Sequence, residues 1–161
     1  MRVALFQPDI AGNVGTTLRT AACFGIGADL IEPMGFAWSA RALARSGMDY
    51  LGDVAVSRHT DWAAFAAGVG GRIVLLTTAG ATPLPAARFR PDDVLLLGSE
   101  SAGVPAAVHA RADLRVCIPM RPGQRSLNVA VAAGIALGEA MRQLGWPWIA
   151  DAPSSVRPPG C

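Results

Sequence analysis

The chain has no lysine: all fourteen of its basic side chains are arginine. Either genome composition or a preference for bidentate phosphate contacts accounts for that bias. The formal net charge is only +2, which permits a nucleic-acid partner but not one held by charge alone. Cysteine is equally sparse. Cys23, Cys117 and Cys161 are an odd set without CxxC spacing, and His59 and His109 stand far apart, so thiols rather than disulfides and no metal ion are expected. The apolar run from Val3 to Phe6 is too short for a secretory signal. The longest apolar run in the chain is too short to cross a bilayer, so a cytoplasmic protein without membrane contact is expected. The dinucleotide GxGxxG and P-loop GK[ST] fingerprints are absent, as are HExxH and GxSxG. Asp92 and Asp93 precede a strand and read as solvated turn residues, which leaves no pair of glycosidase acids. His59 and His109 have no nucleophile beside them and are expected to be surface or structural. Most hydrolase chemistry is thereby excluded.

What is present is enough apolar side chain for a core. At 161 residues and 52% hydrophobic content, residues 1–148 are expected to form one domain and 149–161 a flexible C-terminal tail. Apolar runs at 2–8, 28–34, 54–57, 72–78, 93–99 and 114–120 read as strands. Helices are expected at 14–24, 39–45, 61–67, 104–111 and 127–141. Such alternation predicts an α/β fold with a mostly parallel sheet and helices on both faces. The last helix is nearly all apolar, with Ser126 as its expected N-cap. Ala130, Gly134 and Gly138 recur along one of its faces, which suits close packing on its own sheet and a subunit seam equally.

In a parallel sheet a ligand lies beyond the carboxyl ends of the strands. Three of these ends are unusual. Residues 12–19 hold Asn13, placed to cap a helix, and Gly15 one turn before Arg19. Residues 98–103 set Glu100 between two glycines, and residues 118–128 form an Arg- and Gly-rich loop. Read singly, each has an ordinary explanation: a surface arginine on a capped helix, a glutamate complementing a helix dipole, and apolar strand ends at Leu76 and Ile118.

Together and in order, NVGTTLR, LLLGSESAGVP and IPMRPGQRSLNVAVA resemble the three motifs of the trefoil-knotted SPOUT RNA methyltransferases. IEPMGFAW, SGMDY, LTT and EAMRQLG are similar to stretches of the small tRNA wobble-ribose (cytidine/uridine 2′-O) methyltransferase family, and the resemblance covers residues 1–145. It implies a C-terminal trefoil knot, a homodimer and S-adenosyl-L-methionine as cofactor. The implied substrate is the wobble nucleotide in the anticodon loop of bacterial tRNA, with leucine isoacceptors as the family's usual targets. A 2′-hydroxyl acceptor means RNA and not DNA. Carried over position by position, cofactor contacts fall on Leu76, Gly98, Ile118 and Ser126, and catalytic positions on Arg19, Glu100 and Asn128. A guanidinium titrates above about 12, so Arg19 is read as a clamp on the nucleotide's phosphate and the developing alkoxide rather than as a base. Glu100 would position Arg19 or its loop. Arg41, Arg45, Arg121 and Arg125, drawn from both subunits, would contact RNA phosphates. The chain departs from the family pattern in having Val129 and Ala130 where a serine is common, and Gly138 in place of a tyrosine. The alternatives are ribose methylation at another tRNA or ribosomal RNA site, and a catalytically silent RNA-binding module.

Overall fold

In the computed structural model residues 1–38 and 54–146 are described. Two leucine- and valine-rich runs, β4 (Ile73–Leu76) and β6 (Val94–Leu97), are buried along their whole length, as strands covered on both faces must be. Around them lie β1 (Arg2–Phe6), β2 (Gly27–Ile31), β3 (Val56–His59), β5 (Thr82–Pro83) and β7 (Leu114–Cys117). The order is β3-β2-β1-β6-β4-β7-β5, and every pairing is parallel.

Side chains alternate across the sheet and so feed two cores. Val3 and Leu5 face the side where helix α1 (Ala11–Cys23) packs against helix α4 (Val129–Leu144); there Val14, Leu18 and Ala21 meet Ala133, Leu137 and Met141. Ala4 and Phe6 face the other side, covered by Phe65 of α2 (Trp62–Gly68) and Val108 of α3 (Ala106–Arg111). Asp61 caps α2 by accepting from the Ala64 N–H at 2.8 Å. A 3-10 turn at Leu84–Ala86 follows β5. Beyond it, the Gln143 side chain of α4 accepts from the Phe89 N–H and donates to the Ala87 carbonyl at 3.0 Å each, holding that segment against the last helix.

Registers of Leu5 with Leu97, Leu97 with Leu76, and Leu76 with Val116 bring the ends of β1, β6, β4 and β7 level. The loops that follow these strands therefore emerge side by side.

Several expectations need correcting. Asn13 does not cap α1; the helix begins earlier, with Ile10 at the cap position, and Asn13 lies in its first turn. Ser126 does not cap α4, because Asn128 does, accepting from the Ala130 and Val131 N–H groups at 2.9 and 3.2 Å. Asp93 is not a solvated turn residue. It is fully buried and takes a two-pronged contact from Arg72, 2.8 Å at each carboxylate oxygen, and accepts from the Arg90 N–H. That partner holds the Arg72 guanidinium above its usual range, chiefly through the hydrogen bonds to Asp93. Asp92 is exposed, as expected. His59 is structural, its Nε2 2.9 Å from Asp29 and its ring edge-on to Phe65. The expected helix at 39–45 and the tail at 149–161 lie outside the described residues.

Candidate active site

The level strand ends open into a cleft of about 640 Å³, within the range that holds a small organic ligand. Leu76 at the end of β4 and Thr77 just beyond it line the cleft, with Gly98 and Glu100 after β6, and Ile118, Met120, Ser126 and Asn128 after β7. Asn13 enters from α1 and His109 from α3.

The turn after β6 is tightly built. A Cβ on Gly98 would lie 2.5–2.7 Å from the Gly103 backbone, so only glycine fits, and Gly103 itself has φ +67. Ser99 and Gly103 exchange N–H to carbonyl bonds of 3.0 and 2.9 Å, and the Ser99 hydroxyl accepts from the Ala102 N–H at 3.2 Å. The result is a closed loop that presents Glu100 toward the head of α1.

Glu100 joins the three motif loops. Its Oε2 accepts from the Asp9 N–H at 2.8 Å, and its Oε1 accepts from Asn13 Nδ2 at 2.7 Å. The carbonyl end of Asn13 accepts from Asn128 Nδ2 at 2.9 Å. Asn128 in turn caps α4, so one chain of side-chain bonds runs from the turn after β6, through α1, to the start of the last helix. Ser101 donates its N–H to Asp9 Oδ2 at 2.9 Å. Bonds from the Ser101 hydroxyl and backbone hold the Asp9 carboxyl below the usual carboxylate range. With Glu100 engaged by Asp9 and Asn13, its place is to hold the first loop.

Six of the expected site residues meet in this cleft: Leu76, Gly98, Glu100, Ile118, Ser126 and Asn128. Arg19 does not line it. It is exposed on α1, about 9 Å along the helix axis from Asn13 at the usual rise per residue. Arg121 and Arg125 are exposed on the loop between Met120 and Ser126, whose ends line the cleft although neither arginine does. Arg41 and Arg45 lie outside the described residues. Asp9, the linking role of Asn13, and the place of His109, which is half-buried and lines the cleft, have no local signature in the sequence. An asparagine in a first helical turn looks the same in sequence as one at the cap. The partners of Asp9 lie more than ninety residues along the chain.

The walls suit a mixed ligand. Leu76, Leu97, Ile118 and Met120 offer aliphatic surface, while the backbone after β4 and β6 offers polar groups at close approach. Ile10 and Leu127, which line the cleft, are exposed, as are Val131 and Ile135 on α4, and nothing lies within 4 Å of where a Cβ on Gly134 or Gly138 would stand. Among the described residues no cluster could hold a metal ion, and no helix is long and apolar enough to cross a membrane.

The model of the SpoU rRNA Methylase family matches residues 1–138. A tRNA (cytidine(34)-2'-O)-methyltransferase of Beijerinckia indica subsp. indica is 58% identical over 146 residues, covering 89% of this chain and 91% of the relative. A solved structure concerned with the 2-OH methylation of C/U34 on tRNA superposes with a TM-score of 0.85 at 43% identity, covering 89% of this chain and 95% of the other. The SpoU methyltransferase AviRb of Streptomyces viridochromogenes, solved in complex with the cofactor AdoMet, superposes with a TM-score of 0.76 at 29% identity, covering 89% of this chain and 57% of that one.

Proposed function

This chain belongs to the SpoU rRNA methylase family, and from that premise we propose a reading of what its cleft does. The protein is an enzyme that methylates the 2′-hydroxyl of the wobble nucleotide, cytidine or uridine, of tRNA with S-adenosylmethionine as donor. The single observation that carries this to the cleft is the convergence there of Leu76, Gly98, Ile118, Ser126, Glu100 and Asn128. When bound, the donor supplies a methyl group on a sulfonium. The residues present fit such a ligand: aliphatic walls for an adenine face, and the backbone that lines the cleft after β4 and β6 for its polar edges.

The residues then divide the work. Leu76, Gly98, Ile118 and Ser126 hold the cofactor. Glu100, Asn13 and Asn128 fix the loops around it and so would hold the acceptor 2′-oxygen in place for the methyl group that the sulfonium supplies. Arg19, exposed on α1, clamps the phosphate of the reacting nucleotide and stabilises the alkoxide as the ribose hydroxyl gives up its proton to solvent water. Arg121 and Arg125, beside the cleft mouth, meet neighbouring phosphates, and Arg41 and Arg45 join them. The reaction takes place in the cytoplasm on an unpaired anticodon loop, with leucine isoacceptors as the substrates. DNA, which lacks the acceptor hydroxyl, is not a substrate.

Two features of assembly complete the proposal. A second copy of the chain covers the apolar strip of Leu127, Val131 and Ile135, with Gly134 and Gly138 admitting its backbone, and this dimer brings Arg19 to a cleft. The chain after β7 is threaded as a trefoil knot. The loop after β4 and the end of β7 pack closely enough for such threading: a Cβ on Gly80 would meet the Val116 and Cys117 backbone at 2.5–2.7 Å. Residues 1–148 act as one domain, with 149–161 as a tail.

Mass-spectrometric mapping of tRNA from cells with and without the gene tests the activity: the wobble 2′-O-methyl mark should vanish in its absence. In purified assays Arg19→Ala should abolish turnover while cofactor affinity stays nearly intact. Strong residual methylation by that variant would remove Arg19 from the chemistry.

A further inference from the structure

Asp9 lies where the loop after β1 meets the turn after β6, and methyl transfer itself calls for no carboxylate there. Its contacts are reciprocal. The Asp9 N–H donates to Glu100 Oε2 at 2.8 Å, and the Ser101 N–H donates back to Asp9 Oδ2 at 2.9 Å. One such bond would let the two loops pivot; two bonds in opposite directions stop both tilt and slide. The other side of the loop is closed as well. Gly35 donates its N–H to the Pro8 carbonyl at 2.9 Å, and a Cβ on Gly35 would stand 2.9 Å from the Asp9 backbone. The Asp9 segment is therefore wedged between the Gly35 backbone and the Glu100–Ser101 peptide.

We propose that Asp9 is a positioning residue, which locks the turn after β6 onto the head of α1 and so sets Glu100, Asn13 and Asn128 in register with Arg19. This rests on the methyl-transfer reading and deepens it. The logic is geometric. The turn carries the cofactor side of the site, α1 carries the RNA side, and Asp9 lies between them. Because Asn128 caps α4 through its own Oδ1, loosening the clamp leaves that helix intact. The effect should fall on alignment rather than folding. The bonds from Ser101 hold the Asp9 carboxyl below the usual carboxylate range.

The test compares the full-length wild type, Asp9→Ala and Asp9→Asn, with a wobble-unmodified tRNA transcript and S-adenosylmethionine. Calorimetry gives cofactor affinity and the number of sites, single-turnover methylation at saturating substrates gives the chemical step, and hydrogen exchange reports the Ser101 amide. Asp9→Ala should slow the single turnover by about 10²-fold, the scale of a 1 Å misplacement. Its cofactor affinity and site number should be little changed, and its Ser101 amide should exchange faster. Asp9→Asn keeps an oxygen that can accept from Ser101 and should recover most of the rate. The proposal is overturned if Asp9→Ala turns over like the wild type, if the alanine and asparagine variants are equally slow, or if rate and cofactor sites fall together. An inactive wild type would instead defeat the methyl-transfer reading. In that event unchanged Ser101 exchange in Asp9→Ala would defeat the clamp, and faster exchange would uphold it.

Discussion

Replacing Asn128 by aspartate should separate the two things its side chain does. The Oδ1 bonds to the Ala130 and Val131 N–H groups survive, since a carboxylate caps a helix as well as an amide does. Negative charge at a helix N-terminus adds about 0.3–1 kcal/mol of stabilisation. The donated bond to Asn13 is lost. Asn13 must then point its carbonyl oxygen either at the new carboxylate or, flipped, at Glu100, so one pair of facing acceptors is unavoidable. An unmade bond at this partly exposed position costs about 1 kcal/mol. The two effects nearly cancel, and the melting temperature should stay within about 4 °C of wild type, since 1 kcal/mol corresponds to about 2–4 °C at this size. Asn128→Ala loses the cap, about 1 kcal/mol, and also leaves Asn13 without that donor, so it should melt about 4–8 °C lower. Thermal melts, calorimetric cofactor binding and single-turnover methylation on the same preparations would separate stability from chemistry. Both variants should transfer methyl groups at least about tenfold more slowly, as misaligned sites do. Wild-type turnover by Asn128→Asp would refute the linking role of the Asn13–Asn128 bond. Unchanged melting of Asn128→Ala would refute the cap.

Gly98→Ala places a Cβ within 2.5–2.7 Å of the Gly103 backbone, so the turn must shift; cofactor affinity measured by calorimetry should fall at least about tenfold, equivalent to 1.4 kcal/mol. Arg72→Met leaves the buried Asp93 carboxylate without its counter-charge, and urea unfolding should show a loss of about 3–5 kcal/mol. The Arg142 guanidinium, aided by Gln143, draws the Glu139 carboxyl down to about 2 from 4.5. A depressed carboxylate contributes stability that is complete above its unfolded value and is lost as pH falls through the folded one. Glu139→Gln should therefore be less stable than wild type at pH 7, with the gap closing between pH 4.5 and about 2 in denaturant titrations. A gap of constant size across that interval would contradict the ion pair.

The sheet was readable because its central strands are unbroken apolar runs: 72–78 and 93–99 contain β4 and β6, each buried on both faces. The turn between Gly98 and Gly103 was readable because close backbone packing leaves glycines behind. β5 was not. It has only Thr82 and Pro83 and sits at an edge, where proline is tolerated because its missing N–H faces away from the ladder. Asp93 resembled a solvated turn acid because its burial depends on Arg72, which the pattern around 92–93 does not reveal. In the sequence Asn13 reads as a cap of its own helix; its partners are Glu100 and Asn128, and such pairings become visible only once the loops are level. Arg19 was legible only by resemblance. An exposed arginine on an amphipathic helix carries no local sign of chemistry.

The position of β1 in the sheet has a consequence on the ribosome. β1 can pair with β2 early, but its other neighbour, β6, begins at Val94. At ordinary elongation rates of about 5–20 residues per second, the second edge of β1 stays bare for on the order of ten seconds. During that interval Val3 to Phe6 present one unpaired apolar edge to neighbouring nascent chains. Synthesis is therefore a stage at which the free edge of β1 is open to wrong pairing. Slowing translation between β2 and β6 should lower its soluble yield more than slowing it after β7.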